Sequence, residues 1–172
     1  MSLYLPDTNV LIAFGRDAAV EKKLNAAITG GSTFVLAPST IEELSRGVVN
    51  GGSRHFENDR RVFIWMRMHR WKVLELPVPF MGTILGSPVR RSRVVPEHYL
   101  QLIEMIARSA NFDEFVRRKD APDSVFGDFQ LLFYLADPQI YLLTKEEFSN
   151  DIKNSPQRTR IVQLDSLIQK VR

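Results

Sequence analysis

Short apolar runs alternate with helical patterns along most of this chain. That alternation limits the fold more than any other feature, because it is the signature of parallel strands joined by helical crossovers. Leu3 to Leu5, Phe34 to Ala37, Val73 to Leu76, Ile140 to Leu143 and Ile161 to Leu164 read as the strands. Between the first three, the spacing predicts a short helix over Val10 to Phe14, a helix from Ala18 to Ile28 stopped by Gly30 and Gly31, and one from Ser39 through Val49. Ser39 and Glu42 stand at capping-box spacing. A further helix runs from Phe56 to His69. In the second half, Tyr99, Leu102, Ile103, Ile106 and Ala110 recur at helical spacing. A shorter helix covers Phe112 to Arg118, a long apolar one Ser124 to Ala136, and a short one Lys145 to Asn150; Asp165 is placed to cap a closing helix from Ser166. The expected fold is α/β: three layers, α/β/α, around a central, mostly parallel sheet of about five strands.

A chain of 172 residues supplies one proper core, so residues 1–172 are expected to form a single domain. Residues 82–96, with Arg90-Arg91-Ser92-Arg93 among glycines and prolines, read as an exposed Arg-rich loop. With no cysteine, a bound metal must use oxygen or imidazole ligands. His55, His69 and His98 show no paired metal spacing, which leaves carboxylates as the supply. No stretch is long and apolar enough to span a bilayer, and Met1 leads straight into a strand, so the expected setting is cytoplasmic, away from membrane.

The net charge of +3 is modest, but its distribution is uneven. Arg54, Arg60, Arg61, Arg67, Arg70, Lys72, Arg90, Arg91 and Arg93 are interleaved with Phe56, Phe63, Trp65 and Trp71. Arginine with nearby aromatics suits phosphate contacts and base stacking. Arg54, Arg60, Arg61, Arg90, Arg91 and Arg93 are therefore candidate contacts to the phosphates of a polyanion, and Trp65 or Trp71 would stack bases if exposed. The competing reading is a solvated helix face whose aromatics are core.

Acidic residues gather at one expected edge of the sheet. Asp7 ends the first strand, Glu43 lies one turn into the helix after the second, Asp128 lies near the start of the long apolar helix, and Thr144, Glu146 and Glu147 follow the fourth strand. Ligands of open α/β sheets collect outside the carboxyl ends of the strands. Asp7 or Thr8 could instead simply cap the following helix. Converging carboxylates repel unless a cation sits among them, and hard divalent ions suit oxygen ligands. Such an arrangement favours hydrolysis of phosphodiesters.

These residues resemble the PIN domain family, in particular the toxin nucleases of VapC type. The resemblance rests on Leu5-Pro6-Asp7-Thr8-Asn9-Val10-Leu11-Ile12, Ser39-Thr40-Ile41-Glu42-Glu43-Leu44-Ser45-Arg46-Gly47, Gly127-Asp128-Phe129-Gln130-Leu131-Leu132 and Tyr141-Leu142-Leu143-Thr144-Lys145-Glu146-Glu147-Phe148. It implies that Asp7, Glu43 and Asp128 bind Mg²⁺ or Mn²⁺, with Thr8, Asn9 and Thr144 orienting them. The family usually has Asp or Asn two residues after the threonine, where this chain has Glu146; Glu147 and Asp151 stand behind it as alternatives. The implied activity is metal-dependent endoribonuclease cleavage of RNA, by a homodimeric toxin of a type II toxin–antitoxin pair held in check by a cognate antitoxin. The alternative is a PIN-like RNA-binding or protein-interaction module with weakened catalysis. A haloacid-dehalogenase-type phosphatase would want a second Asp where Asn9 stands.

Overall fold

The computed structural model describes residues 2–49, 56–75, 95–108, 129–145, 152 and 154–167. Its strands are β1 (Leu3–Pro6), β2 (Thr33–Leu36), β3 (Lys72–Val73), β4 (Ile140–Thr144) and β5 (Ile161–Gln163), and its helices are α1 (Thr8–Arg16), α2 (Ala18–Thr29), α3 (Pro38–Val49), α4 (Phe56–Met68) and α5 (Pro96–Ala107). The strands form one five-stranded sheet in the order β3-β2-β1-β4-β5. Every pairing is parallel. β1 lies in the middle, with Leu3 level with Thr33 of β2 and with Ile140 of β4.

Side chains of a strand alternate between its two faces, and here both faces are apolar. Leu3, Leu5, Val35, Ala37, Ile140 and Leu142 pack with Leu102 and Ile106 of α5 and with Leu132 and Leu135. Phe34, Leu36, Leu143 and Val162 pack on the other side with Val10 and Phe14 of α1, Leu24 of α2, Leu44 of α3 and Trp65 of α4. Three layers, α/β/α, result, as a sheet of parallel strands requires. Among the described residues no helix is long and apolar enough to cross a membrane.

Trp65 and Trp71, two of the interleaved aromatics, pack against the sheet rather than stand in solvent. Trp65 is 7% exposed, its ring stacks on Phe14 at 3.9 Å between centroids, and its Nε1–H donates to Asn25 Oδ1 at 2.8 Å. Trp71 is half-buried and lies flat against Phe34 at 5.0 Å. The base-stacking reading of Trp65 is thus corrected: its indole belongs to the core, while Arg60, Arg61 and Arg67 on the same helix are exposed. Gly15 permits this packing, because a Cβ there would meet Asn58 O at 3.0 Å and Val62 Cγ2 at 3.2 Å on α4.

Two helices end in the same way. At the end of α2, Ser32 N–H donates to Ala27 O and Gly31 N–H to Ile28 O, with Gly31 at φ 90°. At the end of α4, Trp71 N–H donates to Met66 O and Arg70 N–H to Arg67 O, with Arg70 at φ 52°. Both are Schellman motifs, whose left-handed residue is usually glycine. An arginine there costs about 1 kcal/mol relative to glycine.

Local capping differs from the sequence expectation at the start of α3. α3 starts at Pro38, whose fixed φ suits the first helical position, so Ser39 lies inside the first turn and the capping box does not form. Glu42 instead pairs with Arg46 at 2.9 Å, one turn along. Asp165 lies within a 3₁₀ turn, Leu164–Ser166, and its carboxylate pairs with Lys23 of α2, while the closing helix expected from Ser166 falls largely outside the described residues. Arg160, before β5, donates to the carbonyls of Leu135, Asp137 and Ile140, tying the chain on the amino side of β4 to that of β5. The expected helices over Phe112 to Arg118 and Lys145 to Asn150, the first part of the one from Ser124, and the Arg-rich loop at 82–96 fall largely or wholly outside the described residues.

Candidate functional site

The chain leaves β1 toward β2 on one side and β4 lies on the other, so the order reverses beside β1. In open α/β sheets the crevice at such a reversal is where ligands bind. β1 and β4 run side by side to that point, Pro6 level with Leu143, and Asp7 N–H donates to Leu143 O at 2.9 Å. Asp7 and Thr144 are the residues that this register delivers to the crevice.

Asp7 is 2% exposed and Thr144 fully buried. Thr144 Oγ1 donates to Asp7 Oδ2 at 2.5 Å, and Val10 N–H donates to Asp7 Oδ1 at 2.7 Å. Asp7 is thereby the N-cap of α1, as one of the two sequence readings had it. Capping does not exhaust the carboxylate. Each oxygen has two lone pairs, and donors on both sides fix its plane while the helix N-terminus favours its charge.

The next residue extends the network across the sheet. Thr8, itself buried, donates from Oγ1 to Glu43 Oε2 at 2.6 Å, joining α1 to α3. Of the adjacent pair, Glu43 is therefore the acid tied to the β1 end, while Glu42 turns to Arg46. Ser39 and Thr40, in the first turn of α3 at this same edge, have buried hydroxyl oxygens with no hydrogen-bond partner among the described residues. Buried orphan oxygens of this kind ask for a water or an ion.

These donors suit a hard divalent cation, which one or two carboxylates plus waters commonly hold. Among the described residues no group of three or more His, Cys, Asp or Glu side chains is placed to hold a metal. Asp128 and Glu146, with Glu147 and Asp151, lie outside the described residues. Asn9 is described and exposed, in the first turn of α1. Arg60 and Arg61 are exposed on α4 and sit in ion pairs, Arg60 with Glu57 at 3.8 Å and Arg61 with Glu21 at 3.0 Å. Arg54, Arg90, Arg91 and Arg93 lie outside the described residues.

Two lysines at this edge escaped the sequence reading. A cleft of about 260 Å³ opens past the ends of β4 and β5, lined by Asp17, Lys23, Lys145, Gln163 and Asp165 among others. The hydrogen bond from Lys23, and then its charge, hold the Asp165 carboxyl below the usual carboxylate range, with a smaller pull from Lys145. Lys145 directly follows Thr144 and could have been marked by that adjacency. Lys23 arrives through the packing of α2 and carries no local signal. No family model matches the chain, and no curated protein or solved structure does so either.

Proposed function

We propose that the chain is a divalent-metal-dependent endoribonuclease of PIN type whose centre is the crevice between the carboxyl ends of β1 and β4. The observation that carries this reading is the Thr144 hydroxyl donating to Asp7 at 2.5 Å across those two strand ends. It gives a buried acid a fixed orientation at the place where such sheets bind ligands. Asp7 and Glu43, with Asp128 and Glu146, would hold Mg²⁺ or Mn²⁺, which supplies charge neutralisation to a phosphodiester under attack by water.

The chain's own residues do the positioning. Thr144 and the Val10 amide hold the two oxygens of Asp7, and Thr8 holds Glu43. Asn9 completes the orienting set, and Lys145, directly after Thr144, places positive charge beside the crevice for the RNA backbone, whereas Lys23 is paired with Asp165. Arg54, Arg60, Arg61, Arg90, Arg91 and Arg93 extend that contact. Under this reading the protein is the toxin of a type II pair, acts in the cytoplasm as a homodimer, and is inhibited by a cognate antitoxin.

A second reading is an RNA-binding or protein-interaction module of the same fold with weakened catalysis. The observation that favours it is that Asp7 already has a structural duty, capping α1 through Oδ1. Cleavage of a mixed panel of structured RNAs with Mg²⁺ or Mn²⁺ separates the two. The nuclease loses activity with chelator, with Asp7→Asn and with Asp128→Asn. Cleavage that survives Asp7→Asn would overturn the assignment, and RNA binding without cleavage would favour the module.

A further inference from the structure

We infer that the turn joining α4 to β3 is a second RNA-backbone surface, on the opposite side of the sheet from the Asp7 crevice. The inference rests on the ribonuclease reading for the identity of the polyanion. Its residues are Arg67, His69, Arg70 and Lys72, all exposed. No Asp or Glu occurs between Asp59 and Glu75 in the sequence. Among the described residues none of the four takes part in an ion pair, unlike Arg60 and Arg61 earlier on the same helix. Lys72 pairs in register with Val35, which sets Arg70 level with the start of β2 and on the amino side of the sheet.

Cations near the C-terminus of a helix are also favoured by its dipole, and that alone would account for Arg67 and His69. It does not account for Arg70. The same hydrogen-bond pattern at the end of α2 uses Gly31 in the left-handed position, so the backbone here would be better served by glycine. An arginine kept where it strains the chain, with its head group in solvent, points to a role outside the fold. The role consistent with its neighbours is contact with phosphates, since arginine and lysine without acidic partners are available to them. Met68, 73% exposed within the same turn, adds an apolar surface that a ribose or base can cover.

The test is fluorescence anisotropy of a labelled single-stranded RNA across a salt series, with wild type, Arg70→Gly, and the triple variant Arg67→Ala, Arg70→Gly, Lys72→Ala. Losing three phosphate contacts should reduce the slope of log affinity on log salt by about 2, and Arg70→Gly alone by about 0.7. Affinity of the triple variant at low salt should fall roughly tenfold or more. Thermal unfolding of Arg70→Gly should be at or above the wild-type midpoint, so that weaker binding cannot be blamed on the fold. Arg67→Lys with Lys72→Arg, which keeps the charge, should retain the wild-type slope. A folded triple variant with unchanged slope and affinity would overturn the inference and leave the nuclease reading standing. A wild type that binds through this turn but cleaves no RNA would do the reverse.

Discussion

The two sides of one sheet are built differently. On the carboxyl side, Asp7, Thr8, Glu43 and Thr144 are tied to one another or to the backbone, and the acid at the centre is buried. On the amino side, Arg67, Arg70 and Lys72 stand in solvent without ion pairs among the described residues, while Arg160 is committed to three carbonyls. Orientation is expensive to build and belongs where chemistry needs a fixed geometry. Electrostatic grip on a polyanion needs charge and reach rather than a fixed pose. The difference therefore separates a candidate reaction centre from a candidate holding surface.

The sharpest way to test that division is to remove what lies beneath the amino side rather than what lies on it. Trp65→Ala should destabilise the protein by about 3–5 kcal/mol in denaturant titration, because it opens the stack with Phe14 and leaves Asn25 without its donor. A near-neutral result would mean that the indole is not the core element described. Arg160→Ala should cost about 3 kcal/mol through the loss of charge-assisted bonds to Leu135, Asp137 and Ile140. A loss of RNA affinity without loss of stability would instead move Arg160 to the holding surface.

On the carboxyl side, Thr144→Val keeps the volume and deletes the hydroxyl that holds Asp7. Under the proposed nuclease reading, cleavage should fall roughly 10–100-fold with KM little changed, as expected of a residue that would position an acid rather than contact substrate. A change confined to KM would contradict that role. The smallest effect is expected at Arg70→Gly, which should stabilise the fold by about 1 kcal/mol. Destabilisation would show that the Arg70 side chain serves the fold after all.

How much of this was legible depended on how local the signal is. Alternating apolar runs report strands and helices directly, and the five strands lie within a residue or two of where the pattern put them, apart from a shorter β3. Asp7 was visible as an acid ending an apolar strand, and Glu43 as one of two adjacent acids. What no local pattern shows is partnership at a distance. Thr144 meets Asp7 from 137 residues away, and Arg160 reaches carbonyls 20–25 residues earlier in the chain. The strand order that makes the β1 and β4 ends a crevice is likewise non-local. Trp65 was ambiguous because arginines flank it, and only the helix phase assigns the indole to the core. Ser39 and Glu42 had the right spacing for a capping box, but Pro38 took the first helical position.

Under the proposed reading, the Asp7 carboxylate, held by Thr144 and the Val10 amide, would seat a divalent cation. Titration of Mn²⁺ into wild type and Asp7→Asn, followed by calorimetry, tests it without depending on the right RNA. Asparagine remains a good N-cap, so the fold should persist while affinity falls roughly tenfold or more. Equal Mn²⁺ affinity in the two folded proteins would contradict the claim and leave Asp7 as a helix cap.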